Sequence, residues 1–360
     1  MLYSLLYSLH EWFTPLNVFR YITFRTSLAV LTAMVCSLIL GPWMIKKLRK
    51  LSLTQQIRDD GPKAHMGKAG TPTMGGLLII LCILLSILMW GDLKNIYIWT
   101  MIVALLGFGG IGFVDDYLKI ARMSHKGLRA YQKFGLQIAV ALMIGIFLYM
   151  NPKDPYTDVL SIPFFKRWFF DLGWIYIPFS MVVIVGSSNA VNLTDGIDGL
   201  AVGLVAVAIL ANGVLVYISG HKGLAQYLQV LYLPGTGELT VFCGAMFGAS
   251  LGFLWYNSYP ADLFMGDVGS LGLGGALGTL AVITKHEIVL AIVGGIFVIE
   301  TISVILQVAS FQLTGKRVFK MAPVHHHFEL KGWPEPKVII RFWIIGIMLA
   351  LLSLATLKVR

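Results

Sequence analysis

LFMGDVGSLGLGGALGTLAVI, residues 263–283, is the stretch on which the reading of this chain turns. A helix needs about 20 apolar residues to cross a ~30 Å hydrocarbon core, so this stretch is long enough to span a membrane. It carries one ionisable group, Asp267, a few residues inside its start. A charge at that depth is costly unless a cavity, a metal or a substrate needs it. Nine more spans of the same kind lie at about 26–45, 74–90, 96–114, 134–150, 174–191, 199–219, 238–256, 288–310 and 338–357.

Composition agrees with that pattern. The chain is 57% hydrophobic and only 13% charged, against roughly 25% charged residues in a soluble domain. Its mean hydropathy is +0.78. The long runs do not alternate, which argues against a β-barrel. The fold expected is an all-α polytopic integral membrane protein of about ten transmembrane helices, one domain over residues 1–360. Residues 1–25 are apolar but interrupted by His10, Glu11 and Pro15, with no basic residue before Arg20, and read as an interfacial segment rather than a cleavable signal. Cys36, Cys82 and Cys243 are scattered within spans and read as small apolar residues, not as disulfides or ligands.

Orientation follows from Lys and Arg. Most of the 28 lie at the loops after spans 1, 3, 5, 7 and 9, with Lys46, Lys47, Arg49, Lys50, Arg58, Lys63 and Lys68 in the first alone. Those loops are therefore expected in the cytoplasm and both termini in the periplasm. The net charge of +10 then faces anionic membrane lipids and could draw in an anionic substrate. Nucleic acid is a poor partner for a chain without a soluble basic domain.

The polar clusters all fall at that same side. Asp115 and Asp116 end span 3; adjacent helical residues point about 100° apart, so different jobs are expected of them. A divalent cation, or nearby Lys and Arg, would relieve their repulsion. Asp267 reads either as a helix N-cap or, given its depth and the lack of a basic neighbour in sequence, as a metal ligand. Mg²⁺ prefers oxygen ligands and is typically held by one or two carboxylates plus substrate phosphates. Asn189 to Gly199 joins spans 5 and 6, and a helical turn would align Asn192, Asp195 and Asp198. Lys68 before Thr71-Pro72-Thr73, and Lys133 at the start of span 4, read as phosphate-binding point charges or as snorkelling lysines. Phe264 offers a stacking face for a base. His325, His326 and His327 follow Pro323; in an extended stretch the first and third share a face. They read as proton-holding groups beside phosphates, with zinc as a second reading that no nearby Cys supports. Glu300 sits mid-span with no acid or base near it in sequence.

Together these motifs resemble the polyprenyl-phosphate N-acetylhexosamine-1-phosphate transferases. The tract APVHHHFELKGWPEP, residues 322–336, is similar to one branch, the phospho-N-acetylmuramoyl-pentapeptide transferases. Gly70 to Gly76, Phe113 to Tyr117, Asn189 to Gly199 and Phe264 to Ser270 match that branch as well. The resemblance implies a bacterial inner-membrane enzyme. It would transfer phospho-MurNAc-pentapeptide from UDP-MurNAc-pentapeptide to undecaprenyl phosphate, giving lipid I and UMP for peptidoglycan, with Mg²⁺. It implies Asp267 as the metal ligand and Asp115 and Asp116 at the catalytic centre. It places Lys68, Asn189, Asp195, Asp198, Asn257 and Phe264 around the uridine, and the three histidines near the pyrophosphate and sugar. Thr73, Lys133 and Asn192 join the candidate substrate-binding set from their places at the same mouths. The resemblance leaves room for a homodimer. Two other readings stand beside it: a sister transferase moving N-acetylglucosamine-1-phosphate to the same lipid, and an ion-coupled transporter using Asp267 and Glu300.

Overall fold

A computed structural model describes residues 2–51, 70–122, 127–165 and 169–358; Lys68 lies outside them. The helices are α1 (Leu2–Ser8), α2 (Ile22–Lys50), α3 (Gly76–Trp90), α4 (Ile96–Ala121), α5 (Ala130–Met150), α6 (Tyr176–Thr194) and α7 (Leu200–Gly220). They continue with α8 (Lys222–Leu228), α9 (Leu239–Asn257), α10 (Gly266–Thr284), α11 (Glu287–Val293), α12 (Gly295–Thr314), α13 (Val324–Glu329) and α14 (Glu335–Ala355). Among the described residues, nine of these are long and apolar enough to cross a membrane. The 15-residue α3 is a shorter apolar helix in the place of the second expected span. The chain is an all-α polytopic membrane protein.

The ends of the helices show why they stop and start where they do. Asn95 caps α4, its Oδ1 accepting from the N–H of Tyr97 at 2.9 Å, which satisfies one of the donors a helix start leaves over. Helix α12 ends at Gly315 with φ +66°, the left-handed stop that glycine adopts without strain.

Helix α10, the stretch quoted above, is the axis of the bundle. Of its apolar window 89% is enclosed by the rest of the molecule, against 22% for α5 and for α12. A helix that is apolar all round and enclosed by other helices is a core helix, whereas α5 and α12 turn most of their surface outward. Helices α3, α4, α6 and α7 pack around α10, and α2 packs along α9. In lipid such packing relies on close van der Waals approach, which small residues permit.

One end of the bundle gathers the end of α4, the turn 127–129 and the turns 195–199, 258–265 and 315–334. The opposite end carries a two-stranded hairpin, Val159–Ser161 paired antiparallel with Phe169–Asp171, which the hydropathy of the chain gave no reason to expect.

Two local expectations are corrected. The ninth span is not continuous: it breaks at Gly294 into α11 and α12, where two consecutive glycines weaken the helix. The histidine tract is not extended but forms α13, so His325 and His327 point to different sides.

Candidate active site at one end of the bundle

The central feature is a cluster of three carboxylates from two helices. Asp115 and Asp116 come from the last turns of α4 and Asp267 from the first turn of α10; their ligating oxygens lie within 4.8 Å of one another. What brings the helices so close is Gly112, one turn before Asp116. A Cβ at that position would lie 2.1 Å from the Asp267 carbonyl oxygen, so no larger residue fits between the two backbones. Gly266, at the head of α10, has φ +72°, and a Cβ there would meet Asp116 Oδ2 at 2.6 Å. Both glycines are therefore demanded by the approach of the carboxylates.

Each carboxylate has its own fixings. Asp116 Oδ2 accepts from the N–H of Val268 at 3.2 Å, satisfying a donor at the start of α10. Asp115 Oδ1 accepts from the N–H of Leu128 at 2.7 Å, tying the 127–129 turn to the site. Asp267 Oδ1 accepts from Asn192 Nδ2 at 2.7 Å, and Asn192 also reaches Ser270 Oγ at 2.8 Å. The N-cap reading of Asp267 is not observed; Asp116 serves that helix start instead. The expectation that Asp115 and Asp116 do different jobs takes this form: each reaches a different backbone N–H while both share the cluster.

The lack of a basic partner for Asp267 in sequence does not hold in space. Lys133 Nζ lies 2.8 Å from Asp267 Oδ2 and 3.7 Å from Asp115 Oδ2. Lys119 Nζ lies 2.7 Å from Asp115 Oδ2, 2.8 Å from Asp267 Oδ2 and 3.4 Å from Asp116 Oδ1. Sequence reasoning missed Lys119, although its signal was available: it stands three and four residues after the paired aspartates, the spacing of neighbours on a helix face. Among the described residues, three carboxylates meet two ammonium groups, an excess of negative charge in a largely enclosed pocket.

That donor set fits a hard divalent cation. It offers clustered carboxylate oxygens, not the thiolates or imidazoles that zinc sites favour. Asp115, Asp116 and Asp267 would hold such an ion.

The turn after α6 brings the remaining polar groups alongside. The helix stops at Thr194, so Asn192, Asp195 and Asp198 do not form the helical row expected from their spacing. Asn192 turns to Asp267. Asp195 stays half-buried beside the cluster; desolvation, then the charges of Asp267, Asp116 and Asp198, push its carboxyl well above the usual carboxylate range. Asp198 Oδ2 accepts from the N–H of Ala261 at 3.0 Å, while the Asp198 N–H donates to Glu335 Oε1 at 2.9 Å. Asn257 accepts from the N–H of Gly199 at 3.0 Å and donates to the Leu263 carbonyl at 2.8 Å. These two residues clip the 195–199 and 258–265 turns together.

Asn189 donates to Gln137 Oε1 at 2.8 Å and to its own helix at Val185 O at 2.9 Å. The segment bearing Thr73 runs beside Phe264: the Phe264 N–H donates to Pro72 O at 2.9 Å and its carbonyl accepts from Gly75 N at 2.8 Å. Thr73 is buried there.

The three histidines part ways. His325 is wholly enclosed and its Nδ1 lies 3.2 Å from Glu300 Oε1. His326 is half-buried, with Nδ1 2.7 Å from Glu329 Oε2. His327 faces outward and its Nδ1 accepts from the N–H of Lys320 at 3.1 Å; desolvation and the charges of Lys331 and Lys320 push its pKa down. Glu300, isolated in sequence, meets a partner only through α13 folding back onto α12.

Comparison with known proteins places this arrangement. The family described as Glycosyl transferase family 4 matches residues 98–285, the stretch that holds all three carboxylates and both lysines. A signature of phospho-N-acetylmuramoyl-pentapeptide-transferase matches residues 68–80. A curated phospho-N-acetylmuramoyl-pentapeptide-transferase of Thermodesulfovibrio yellowstonii is 68% identical over 361 residues, covering 100% of both chains. The chain belongs to the phospho-N-acetylmuramoyl-pentapeptide-transferase family. Proteins of the same name from Citrifermentans bemidjiense and a Geobacter species are 57% and 56% identical, again over 100% of both chains. The matched signature begins at Lys68, and the family match includes Asn189 to Asp198.

Proposed function

We propose that this chain transfers phospho-MurNAc-pentapeptide from UDP-MurNAc-pentapeptide to undecaprenyl phosphate, releasing UMP and forming lipid I, at the cytoplasmic face of a bacterial inner membrane. Full-length identity to transferases of that name supports the reaction. The observation that carries the mechanism is the cluster of Asp115, Asp116 and Asp267 with Lys119 and Lys133. The excess of Lys and Arg in loops at this end supports a cytoplasmic site. The whole chain acts as one transferase domain.

Phosphoryl transfer asks little covalent chemistry of the protein; it asks for positioning and charge neutralisation. Asp115, Asp116 and Asp267 would hold Mg²⁺, which when bound supplies charge stabilisation to the transferring phosphates. Lys119 and Lys133, which lie against these carboxylates, would offer their ammonium groups to the donor's phosphates. Asn192 fixes the Asp267 carboxylate. Asp195, with its raised pKa, would keep a proton to donate to an acceptor on the uridine, and Phe264 would offer its ring to the base. Asp198 and Asn257 shape that pocket by clipping its turns. Thr73 and Asn189 would border it, Lys68 joins them from the sequence alone, and His326 would offer an imidazole edge to the sugar-phosphate.

The second pKa of a phosphate monoester is about 6, so the lipid phosphate is largely dianionic near neutral pH and needs little help from a base. One in-line displacement follows, with Asp115 and Asp116 orienting rather than forming an enzyme-bound phosphate. Purified protein with UDP-MurNAc-pentapeptide and undecaprenyl phosphate should release UMP only when Mg²⁺ is present. UDP-N-acetylglucosamine in place of that donor should release none. Turnover of UDP-N-acetylglucosamine alone would assign the chain to the sister reaction.

A further inference from the structure

Among the described residues, Glu300 is the one carboxylate in the middle of a membrane-crossing helix that the transfer mechanism leaves unused. It is fully enclosed, and neither carboxylate oxygen has a hydrogen-bond partner of good geometry among the described residues. The same holds for both ring nitrogens of His325, which is equally enclosed. The two side chains nevertheless face each other, Nδ1 lying 3.2 Å from Glu300 Oε1. A buried carboxylate without a partner is costly, and so is a buried imidazole N–H. A small turn of the ring satisfies both at once, with Nδ1–H donating to Glu300.

The other edge of the ring has a definite neighbour. A Cβ on Gly196 would lie 2.3 Å from His325 Nε2 and 3.3 Å from His326 Nε2. Both imidazoles therefore turn their Nε2 edges to the same backbone turn, whose next residue back is Asp195. The rings sit against each other, with centroids 4.1 Å apart, and Glu329 holds the far nitrogen of His326. Glu300 and Glu329 each back one histidine, from α12 and from α13 respectively. Only His326 is partly open; His325 is the layer behind it.

We propose that Glu300 is a positioning residue of the transfer centre that acts only through His325. It holds His325 as the Nδ1–H tautomer. The unprotonated Nε2 edge then packs on the Gly196 turn and sets the places of Asp195 and His326 against the nucleotide-sugar donor. The proposal rests on the transferase reading of the site. It assigns Glu300 to donor binding and excludes it from the ion path that a transporter would need.

The test uses the full-length protein. Glu300→Leu lowers kcat/KM for UDP-MurNAc-pentapeptide about tenfold to a hundredfold, the range seen when a partner that orients a functional histidine is removed. KM for undecaprenyl phosphate stays unchanged. In a His325→Ala background the same substitution has no further effect, because its only route of action is gone. Glu300→Gln, which keeps the shape and an acceptor oxygen, stays within about threefold of the wild type by the same reasoning and carries the test if the leucine variant fails to fold. Ring ¹⁵N shifts of His325, identified by their loss in His325→Ala, show Nδ1 protonated and Nε2 bare in the wild type, and a tautomer mixture in Glu300→Leu. Equal losses in both backgrounds, or an Nε2–H tautomer in the wild type, overturn the proposal. A wild type that shows the ¹⁵N signature but releases no UMP overturns the transferase reading and leaves the pairing intact.

Discussion

The two ends of the bundle hold buried clusters built from the same kinds of residue, and they differ in how their charges balance. At one end Asp115, Asp116 and Asp267 crowd together with Lys119 and Lys133. At the other, Lys285 Nζ donates to Thr157 O at 2.6 Å and to Tyr176 Oη at 2.7 Å, Tyr176 Oη donates to Val282 O at 3.1 Å and meets Glu287 Oε1. The second cluster has one acid, one base and a phenol between them, and its charges are balanced one against one, with Lys285 and Tyr176 also held by backbone carbonyls although Glu287 Oε2 is left without a hydrogen-bond partner among the described residues. The first has more carboxylates than cations among the described residues, a half-buried mouth, and turns from several helices gathered over it. Buried ionisable groups alone do not mark a site; an uncompensated charge that a ligand can neutralise does.

The largest effect should come from the carboxylate that belongs to the core helix. Asp267→Asn removes charge from the centre while keeping its size, and turnover should fall about 10³-fold, the loss that about 4 kcal/mol of transition-state stabilisation represents. Folding and membrane insertion should survive, because Asn192 and the α4–α10 contact remain. Normal UMP release by this variant would move the centre away from Asp267.

Next come the lysines. Lys133→Ala and Lys119→Ala should each lower kcat/KM by about 10²-fold, the scale of one lost electrostatic donor. A larger loss from Lys285→Met at the opposite end would invert the comparison.

The opposite end should instead show in stability. Desolvation by burial raises the Glu287 pKa from 4.5 to about 7. Between those values the folded chain keeps a proton that the unfolded chain has released, so stability falls as pH rises through that window. The linkage amounts to about 3 kcal/mol at most. Lys285, lowered by desolvation from 10.5 to about 8, gives the opposite slope: stability rises between about pH 8 and 10.5. Glu287→Gln should flatten the lower slope, with melting temperatures at pH 5 and pH 7.5 drawing together, and leave UMP release unchanged. A melting temperature of the unaltered protein that climbs from pH 5 to pH 7 would contradict the assignment.

Much of this was legible in the chain. Apolar length alone located nine helices long enough to cross among the described residues, because crossing a hydrocarbon core demands it; the second expected span is the shorter α3, and the ninth is broken at Gly294. Asp267 was legible because a charge inside an apolar run stands out. What escaped was pairing over long sequence distance. Nothing local links Lys133 to Asp267 or Glu300 to His325, since those contacts exist only once α5 and α13 have packed. The break at Gly294 and the helical form of the histidine tract escaped because local composition is ambiguous there. Asn257 and Asp198 look like ligand-binding groups in sequence; in space their side chains hold backbone turns, and spacing cannot separate the two roles.

The most direct measurement is a count of divalent ions. Mn²⁺, followed by electron paramagnetic resonance on the purified protein, should bind once per chain and be displaced by Mg²⁺. Binding should be lost in Asp267→Asn and kept in Glu287→Gln. Binding that survives Asp267→Asn, or that is lost in Glu287→Gln, would contradict the claim that the uncompensated carboxylates of α4 and α10 form the cation-holding centre.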